Sequence, residues 1–167
     1  MFIGALELFK IGIGPSSSHT MGPMVAAKNF IDRVTEYLSS RQDMQNSSLR
    51  CTLKGSLAFT GKGHAADRAV SLGVHGYSPQ AAAEQDVETL VNNIWNKDSI
   101  AIDADHSVRF SPAKDIVFDQ GEPLPQHPNG MIFELLGPSD EVLLSETCFS
   151  IGGGFISTLA EIGQLVA

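Results

Sequence analysis

Residues 20–40 read TMGPMVAAKNFIDRVTEYLSS, and the spacing of the apolar side chains in this stretch sets the fold class. Those side chains recur at intervals of three and four residues: Met24, Ala27, Ile31, Val34 and Leu38. Such spacing places them on one face of a helix, with the charged residues outside that face. Thr20 precedes the first turn and suits an N-cap. The pattern predicts an amphipathic helix over 21–40 that packs on a core.

The rest of the chain reads as short strands mixed with shorter helices. Two apolar segments, 131–136 and 142–149, flank the turn-forming Gly137-Pro138-Ser139-Asp140, which predicts a β-hairpin. The other predicted elements are, in chain order, a strand over 49–60, helices over 65–72 and 85–95, and strands over 107–110 and 115–118. This mixture predicts an α+β fold, a mixed β-sheet with helices packed on it.

Composition narrows the class of protein. The 167 residues suit one domain, and the net charge of −8 argues against a fold that binds nucleic acid through its phosphates. No apolar run approaches about 18 residues, and the N-terminus has no secretory signal pattern, so we expect a cytoplasmic protein without a membrane partner. Charged residues make up only 18% of the chain, below the roughly 25% typical of soluble domains. This low fraction indicates that a partner covers part of the surface.

The two cysteines, Cys51 and Cys148, exclude a disulfide framework and do not have the spacing of a structural zinc site. We expect both to be small core residues on strands.

A run of hydroxyl side chains comes directly before the first helix: Ser16, Ser17, Ser18, His19 and Thr20. Hydroxyls and free N–H groups at a helix N-terminus can bind a carboxylate or a phosphate, and the helix dipole favours a negative ligand there. His19 can titrate near neutral pH and could act as an acid or a base. The alternative is a polar loop with a capping threonine.

A second candidate is Gly61-Lys62-Gly63-His64, which lies between a strand and a helix. It matches neither the Walker motif nor the dinucleotide fingerprint. Its glycines would let a ligand approach the backbone, and a helix N-terminus would favour a neutral His64 that can accept a proton. The alternative is a glycine turn with a surface histidine.

Two further glycine- or proline-shaped segments follow. His127 and Asn129 lie in the stiff loop His127-Pro128-Asn129-Gly130, where a histidine is well placed for catalysis, although a plain surface loop is the simpler interpretation. Gly152-Gly153-Gly154 requires a structural reason, since glycine loses the most backbone entropy on folding. A hinge is favoured there over a close approach of another segment.

Taken in order, these blocks resemble the β domain of the iron–sulfur-dependent bacterial L-serine dehydratases. The resemblance extends from about Phe9 to Phe155 and includes Gly55-Ser56-Leu57 and Ser150-Ile151-Gly152. It implies conversion of L-serine to pyruvate and ammonia with a [4Fe–4S] cluster. It implies that the cluster's cysteines belong to a catalytic α domain, either fused after this domain or made as a separate chain. It also implies a fold similar to the allosteric substrate-binding domain of phosphoglycerate dehydrogenases.

The same resemblance implies a domain over 1–155, with 156–167 beginning a linker to the cluster-bearing domain. The chain alone is then expected to be inactive, and its expected partners are L-serine, that catalytic domain and further copies of itself. Two alternatives stay open: a serine-binding regulatory module of the same enzyme, and a dimerisation module.

The resemblance also implies roles for individual residues. His64 would be the general base, with His19 and Ser16–Ser18 holding the substrate carboxylate and His127 and Asn129 assisting from the opposite loop. The remaining residues that it places in the substrate-binding set are Thr20, Lys62 and Gly63. Many family members carry threonine where this chain has Ala66, and a Tyr-Tyr pair where it has Cys148-Phe149. The hydroxyls of those side chains are therefore absent here.

Overall fold

The computed structural model describes residues 19–41, 45–59, 66–152 and 155–161. The helices in these segments are α1 (Met21–Ser39), α2 (Ala66–Val74), α3 (Pro79–Ala83), α4 (Val87–Trp95) and α5 (Pro112–Asp115), with a 3₁₀ helix over Gly55–Phe59. The strands are β1 (Ser47–Lys54), β2 (Ser99–Ala101), β3 (Ser107–Arg109), β4 (Ile116–Asp119), β5 (Gly130–Leu136), β6 (Val142–Gly152) and β7 (Phe155–Thr158). None of the described helices is long and apolar enough to cross a membrane.

The strands form one sheet in the order β2-β3-β1-β5-β6-β7. β3 and β4 both run parallel to β1 along the same edge, β3 beside Ser47 and Ser48 and β4 beside Cys51–Lys54. On the other side of β1, the strands β5, β6 and β7 follow in antiparallel order. The predicted α+β fold with a mixed sheet is therefore confirmed.

Helix α1 covers one face of this sheet. Alternate residues of β1, including Leu49, Cys51 and Leu53, are buried and join the core that contains the apolar stripe of α1. The rings of Phe30 in α1 and Phe133 in β5 stack with their centroids 5.5 Å apart. The stripe predicted from the 3.6-residue period of the helix is buried as expected, and Phe30 is buried beside it.

The structure corrects four local predictions. Thr20 precedes α1 as predicted, but its side chain makes no capping hydrogen bond to the helix. The strand predicted over 49–60 ends at Lys54, because Gly55 has a φ of +58° and the chain turns there into the 3₁₀ helix. The predicted hinge at the triple glycine is wrong. β6 continues to Gly152, and β7, which begins at Phe155, pairs back onto it. Residues 156–158, which the resemblance placed in a linker, lie in β7.

The pairing brings several strand ends to one end of the sheet, here called the site end. β1 and β4 finish there at Lys54 and Asp119, which are register partners. β5 begins there at Gly130, and β6 finishes there beside the start of β7. The segment with Gly61-Lys62-Gly63-His64 follows the 3₁₀ helix that leaves β1 at this end. The topology thus brings the ends of β1, β4 and β6 and the start of β5 together at this end.

At the other end of α1, His106 joins the helix to the turn between β2 and β3. Its Nδ1 lies 2.8 Å from Asp103 Oδ1, and its Nε2 lies 2.9 Å from the carbonyl oxygen of Arg41. Both partners are acceptors, so both ring nitrogens carry protons when both bonds form. The hydrogen bond to Asp103, followed by that to Arg41, accordingly raises the pKa of His106 above 6.5.

This arrangement predicts a pH-dependent contribution to stability. Because the folded pKa of His106 is raised, its stabilisation is fully present below the unfolded value of about 6.5 and is lost as pH rises through the folded value. The stability difference between the wild type and His106→Gln, measured by urea denaturation, should therefore shrink as pH rises from about 6 to 8.5.

His75 provides a control, because its pKa is shifted in the opposite direction to that of His106. Burial lowers the pKa of His75 to about 4, so its contribution is present above about pH 6.5 and is lost as pH falls toward 4. His75→Gln should change the pH dependence only below about 6.5. An equal difference between the wild type and His106→Gln at every pH would contradict the assignment.

Candidate functional site

The loop His127-Pro128-Asn129 is attached to the chain that leaves β1. The amide of Ser56 donates a hydrogen bond to the carbonyl oxygen of Pro128 at 2.8 Å. A Cβ atom on Gly55 would lie 2.0 Å from that same oxygen, closer than any real contact allows. Gly55 therefore serves two needs, a left-handed backbone and close backbone approach, and only glycine meets both without strain.

Two more contacts hold the neighbouring segments at this end. Lys54 Nζ lies 2.7 Å from Asp119 Oδ2, and this hydrogen bond lowers the pKa of Asp119. The Gln120 side chain donates to the carbonyl oxygen of Ala58 at 3.2 Å. The 3₁₀ helix after β1 and the loop after β4 are thus fixed side by side. In the sequence, the helix precedes His64 and the loop precedes His127.

Asn129 connects this loop to β6. Its backbone oxygen accepts a hydrogen bond from the Ser150 amide at 3.0 Å, and its side-chain Nδ2 donates to the Ser150 carbonyl oxygen at 3.1 Å. Ser150 in turn lies against the first turn of α1, where a Cβ atom on Gly22 would be only 1.9 Å from Ser150 Oγ. One continuous set of contacts therefore runs from β1 through the 127–129 loop and β6 to the start of α1.

His127 has a defined tautomer in this setting. Its Nδ1 accepts a hydrogen bond from the Asn129 amide at 3.1 Å, so the neutral ring carries its proton on Nε2. The ring packs against the buried Phe149, with centroids 6.2 Å apart. In this tautomer the Nε2 atom is a hydrogen-bond donor.

The structure places some of the predicted site residues together and leaves others undescribed. Thr20 is buried directly before α1, His19 precedes it and is half-buried, and His127 and Asn129 lie in the loop that joins β6. The remaining predicted residues lie outside the described segments: Ser16, Ser17, Ser18, Lys62, Gly63 and His64. In the sequence, Ser18 directly precedes His19, and Lys62 follows Phe59 by three residues.

Sequence reasoning missed three residues that hold the site together: Gly22, Ser56 and Ser150. Ser56 and Ser150 stood in the quoted blocks without an assigned role, and Gly22 was read only as part of a helix. The available signal was glycine near the start of a helix, where it lowers helix stability and therefore implies close packing.

The two thiols lie in the core. Cys51 and Cys148 are both buried on strands, as predicted. Burial raises the pKa of Cys51 well above its usual value and that of Cys148 to about 12. Metal ligation requires thiolates, so these side chains do not suit an iron–sulfur cluster. Within the described segments, no group of three or more His, Cys, Asp or Glu side chains could hold a metal ion.

The fold and the site together define a class, an α+β domain whose polar loops meet at one end of a mixed sheet. The chain matches the family model described as serine dehydratase beta chain over residues 4–161. It therefore belongs to the serine dehydratase beta chain family, which confirms the resemblance drawn from the motifs.

Known relatives agree with this assignment. The chain is 44% identical over 155 residues to L-serine dehydratase TdcG of Escherichia coli K12, covering 92% of this chain and 33% of that protein. It is 39% identical over 160 residues to an L-serine dehydratase of Helicobacter pylori 26695, covering 96% of this chain and 34% of that protein. An L-serine dehydratase of Streptomyces coelicolor is 39% identical over 158 residues, with coverages of 93% and 34%. The chain thus spans about a third of the length of these relatives.

The contact between Gly55 and Pro128 generates a direct prediction. Gly55→Ala should destabilise the fold by about 2 kcal/mol or more, because it adds a backbone clash to a strained φ. It should also shift the amide resonance of Asn129 in a ¹H–¹⁵N spectrum.

Gly76→Ala is the matched control, because Gly76 has a φ of +96° but no atom within 4 Å of an added Cβ. This variant reports the backbone strain alone, which should cost about 1 kcal/mol. Equal losses of unfolding free energy in the two variants would show that the clash with Pro128 contributes nothing.

Proposed function

We propose that this chain is the β domain of an L-serine dehydratase and contributes its histidines and anion-binding loop to a site completed by another domain. The reaction is the conversion of L-serine to pyruvate and ammonia. The observation that carries the proposal is the convergence of the α1 start, the 127–129 loop and the end of β6 at one end of the sheet. In the sequence, Lys62, Gly63 and His64 follow the 3₁₀ helix that leaves β1 at that same end.

The tautomer of His127 separates the roles of the histidines. Loss of the α-proton of serine requires a base, and a histidine serves as one only when it is neutral and has a free nitrogen. His127 offers a proton at Nε2, so it suits binding of the substrate's oxygens. His64 is then the proposed general base, with His19, Ser16–Ser18 and Thr20 around the carboxylate and Asn129 positioning the loop.

A second domain is part of the proposal. The two buried thiols do not fit the [4Fe–4S] cluster that the family resemblance implies, so we place the cluster's ligands in the catalytic α domain. Large apolar side chains are exposed at the site end: Phe59 (65%), Ile151 (45%) and Phe155 (70%). Exposed aromatic and aliphatic groups beside a polar site are typical of a surface that a partner covers. We expect the chain alone to be inactive.

The proposed function is tested by reconstituting the chain anaerobically with the catalytic domain of the enzyme and measuring pyruvate formation from L-serine. His64→Ala should lower kcat by about 10²- to 10⁴-fold, the usual contribution of a general base. KM should change much less, because the base acts mainly in the transition state.

The control variant is His75→Gln, which changes a histidine at the C-terminal end of α2 and should leave kcat unchanged. Near-normal turnover in His64→Ala would remove His64 from the role of base. Full-rate turnover by the 167-residue chain alone would overturn the two-domain proposal.

A second candidate function is a serine-binding regulatory module, favoured by a cavity at the opposite end of the sheet. This cavity of about 680 Å³ opens where the partner of β1 in the sheet changes from β3 to β4. Its lining includes Arg109 and Lys114, which form no ion pair with any described carboxylate, together with Asp98 and Asp140. Unpaired charges of both signs suit a zwitterion such as an amino acid. The proposed likeness to the allosteric domain of phosphoglycerate dehydrogenases agrees with this role.

Calorimetry of the 167-residue chain with L-serine tests the regulatory candidate. It predicts saturable binding that Arg109→Gln/Lys114→Gln weakens at least about tenfold, equivalent to about 1.4 kcal/mol. Lys28→Gln/Arg41→Gln removes the same charge from α1 and the residues after it, and should leave binding unchanged. Binding that is absent, or equally weak in both double variants, contradicts a site in this cavity.

A further inference from the structure

Among the described residues, the N-terminus of α1 has hydrogen-bonding groups without a partner. The helix is 19 residues long, has no acidic residue in its first turn and receives no capping bond from the Thr20 side chain. Its first internal bond runs from the Met24 amide to the Thr20 oxygen, and no described residue accepts from the amides of Met21 or Gly22. Free amides and the helix dipole make such a terminus attractive to an anion.

An unpartnered buried hydroxyl lies at the same place. Ser150 is fully buried, and its Oγ has no hydrogen-bond partner among the described residues. Its backbone amide and carbonyl are both occupied by Asn129, so the hydroxyl is the one polar group of Ser150 left over. A buried unpaired hydroxyl costs about 1–3 kcal/mol, which is tolerated where a partner arrives in the functional state.

The packing leaves the hydroxyl directly against the first turn of α1. An alanine at Gly22 would place its Cβ 1.9 Å from Ser150 Oγ, so only glycine lets the two segments approach this closely. The hydroxyl and the amides of the first turn therefore share one small region, with no acidic side chain in that turn.

We propose that Ser150 Oγ donates a hydrogen bond to the carboxylate of the substrate, which is seated at the N-terminus of α1. This inference rests on the proposed function, which supplies an amino acid as the substrate. A carboxylate has two oxygens and a negative charge, so it can accept from the hydroxyl and from a helix amide together. Ser150 is then a substrate-binding residue that fixes the orientation of the α-carbon relative to the base.

The test uses the reconstituted two-domain enzyme with Ser150→Ala. KM for L-serine should rise about tenfold to a hundredfold, the effect of losing a hydrogen bond to a charged group, and kcat should change much less. Ser150→Cys keeps a weak donor and should give an intermediate KM. Since the alanine variant removes an unpaired hydroxyl, its unfolding free energy without ligand should equal or exceed that of the wild type.

Two inhibitors separate carboxylate binding from general disturbance of the site. L-alanine keeps the carboxylate and amine of serine but lacks its hydroxyl, whereas ethanolamine lacks the carboxylate. Inhibition by L-alanine should weaken in Ser150→Ala by the same factor as KM, and inhibition by ethanolamine should not change.

Ser47→Ala is the matched control, because Ser47 is also buried with an unpartnered Oγ but lies at the far end of β1. An unchanged KM in Ser150→Ala, or equal changes of KM in Ser150→Ala and Ser47→Ala, would overturn the inference. The proposed function would still stand in that case, provided that the wild-type enzyme is active. Calorimetry with L-alanine tests the inference if the reconstituted wild-type enzyme is inactive. If the wild type does not turn over serine, loss of L-alanine binding in Ser150→Ala still supports the carboxylate site, and undiminished binding overturns it.

Discussion

Close approach of backbone to backbone at one end of the sheet is the constraint on which the site depends. Gly55 admits the Pro128 carbonyl oxygen, and Gly22 admits the Ser150 side chain, each at a distance that a Cβ atom would forbid. Between them, Asn129 joins the 127–129 loop to β6 through two hydrogen bonds. Because each contact positions the next, the geometry of the loop, the strand and the helix start is set as one unit. A site built in this way is held by the sheet and not by mobile side chains.

The same region carries polar groups that the described structure does not satisfy. An uncapped first turn and a buried hydroxyl both lower stability, since each leaves hydrogen-bonding capacity unused. In the core beneath them, the apolar stripe of α1 packs on β1 and β5, and Arg33 forms an ion pair with Glu146 of β6. The contrast between a well-packed centre and an incompletely bonded end is what a binding region requires, because a ligand must find free partners there.

The proposed division of labour between two domains draws on chemistry as well as on the length of the relatives. This chain spans about a third of the length of its relatives, buries both thiols in its core and exposes aromatic side chains at the site end. A reaction that needs both a base and activation of a leaving group can be shared between two surfaces, provided each holds its groups rigidly. The proposal gives this chain the imidazoles and the carboxylate-binding groups.

The sequence by itself determined the elements whose side-chain period is strong. It predicted α1, the hairpin of β5 and β6, the buried cysteines and the ordered motifs that identified the family. Tertiary structure alone decided the rest: the turn at Gly55, the return of β7 where a hinge was predicted, the proton on Nε2 of His127 and the position of Ser150. The physical reason is that periodicity records which side of an element is buried, a local property. Left-handed turns, tautomers and unpaired hydroxyls depend on which distant segment supplies the neighbouring atom, and a single sequence does not contain that distance.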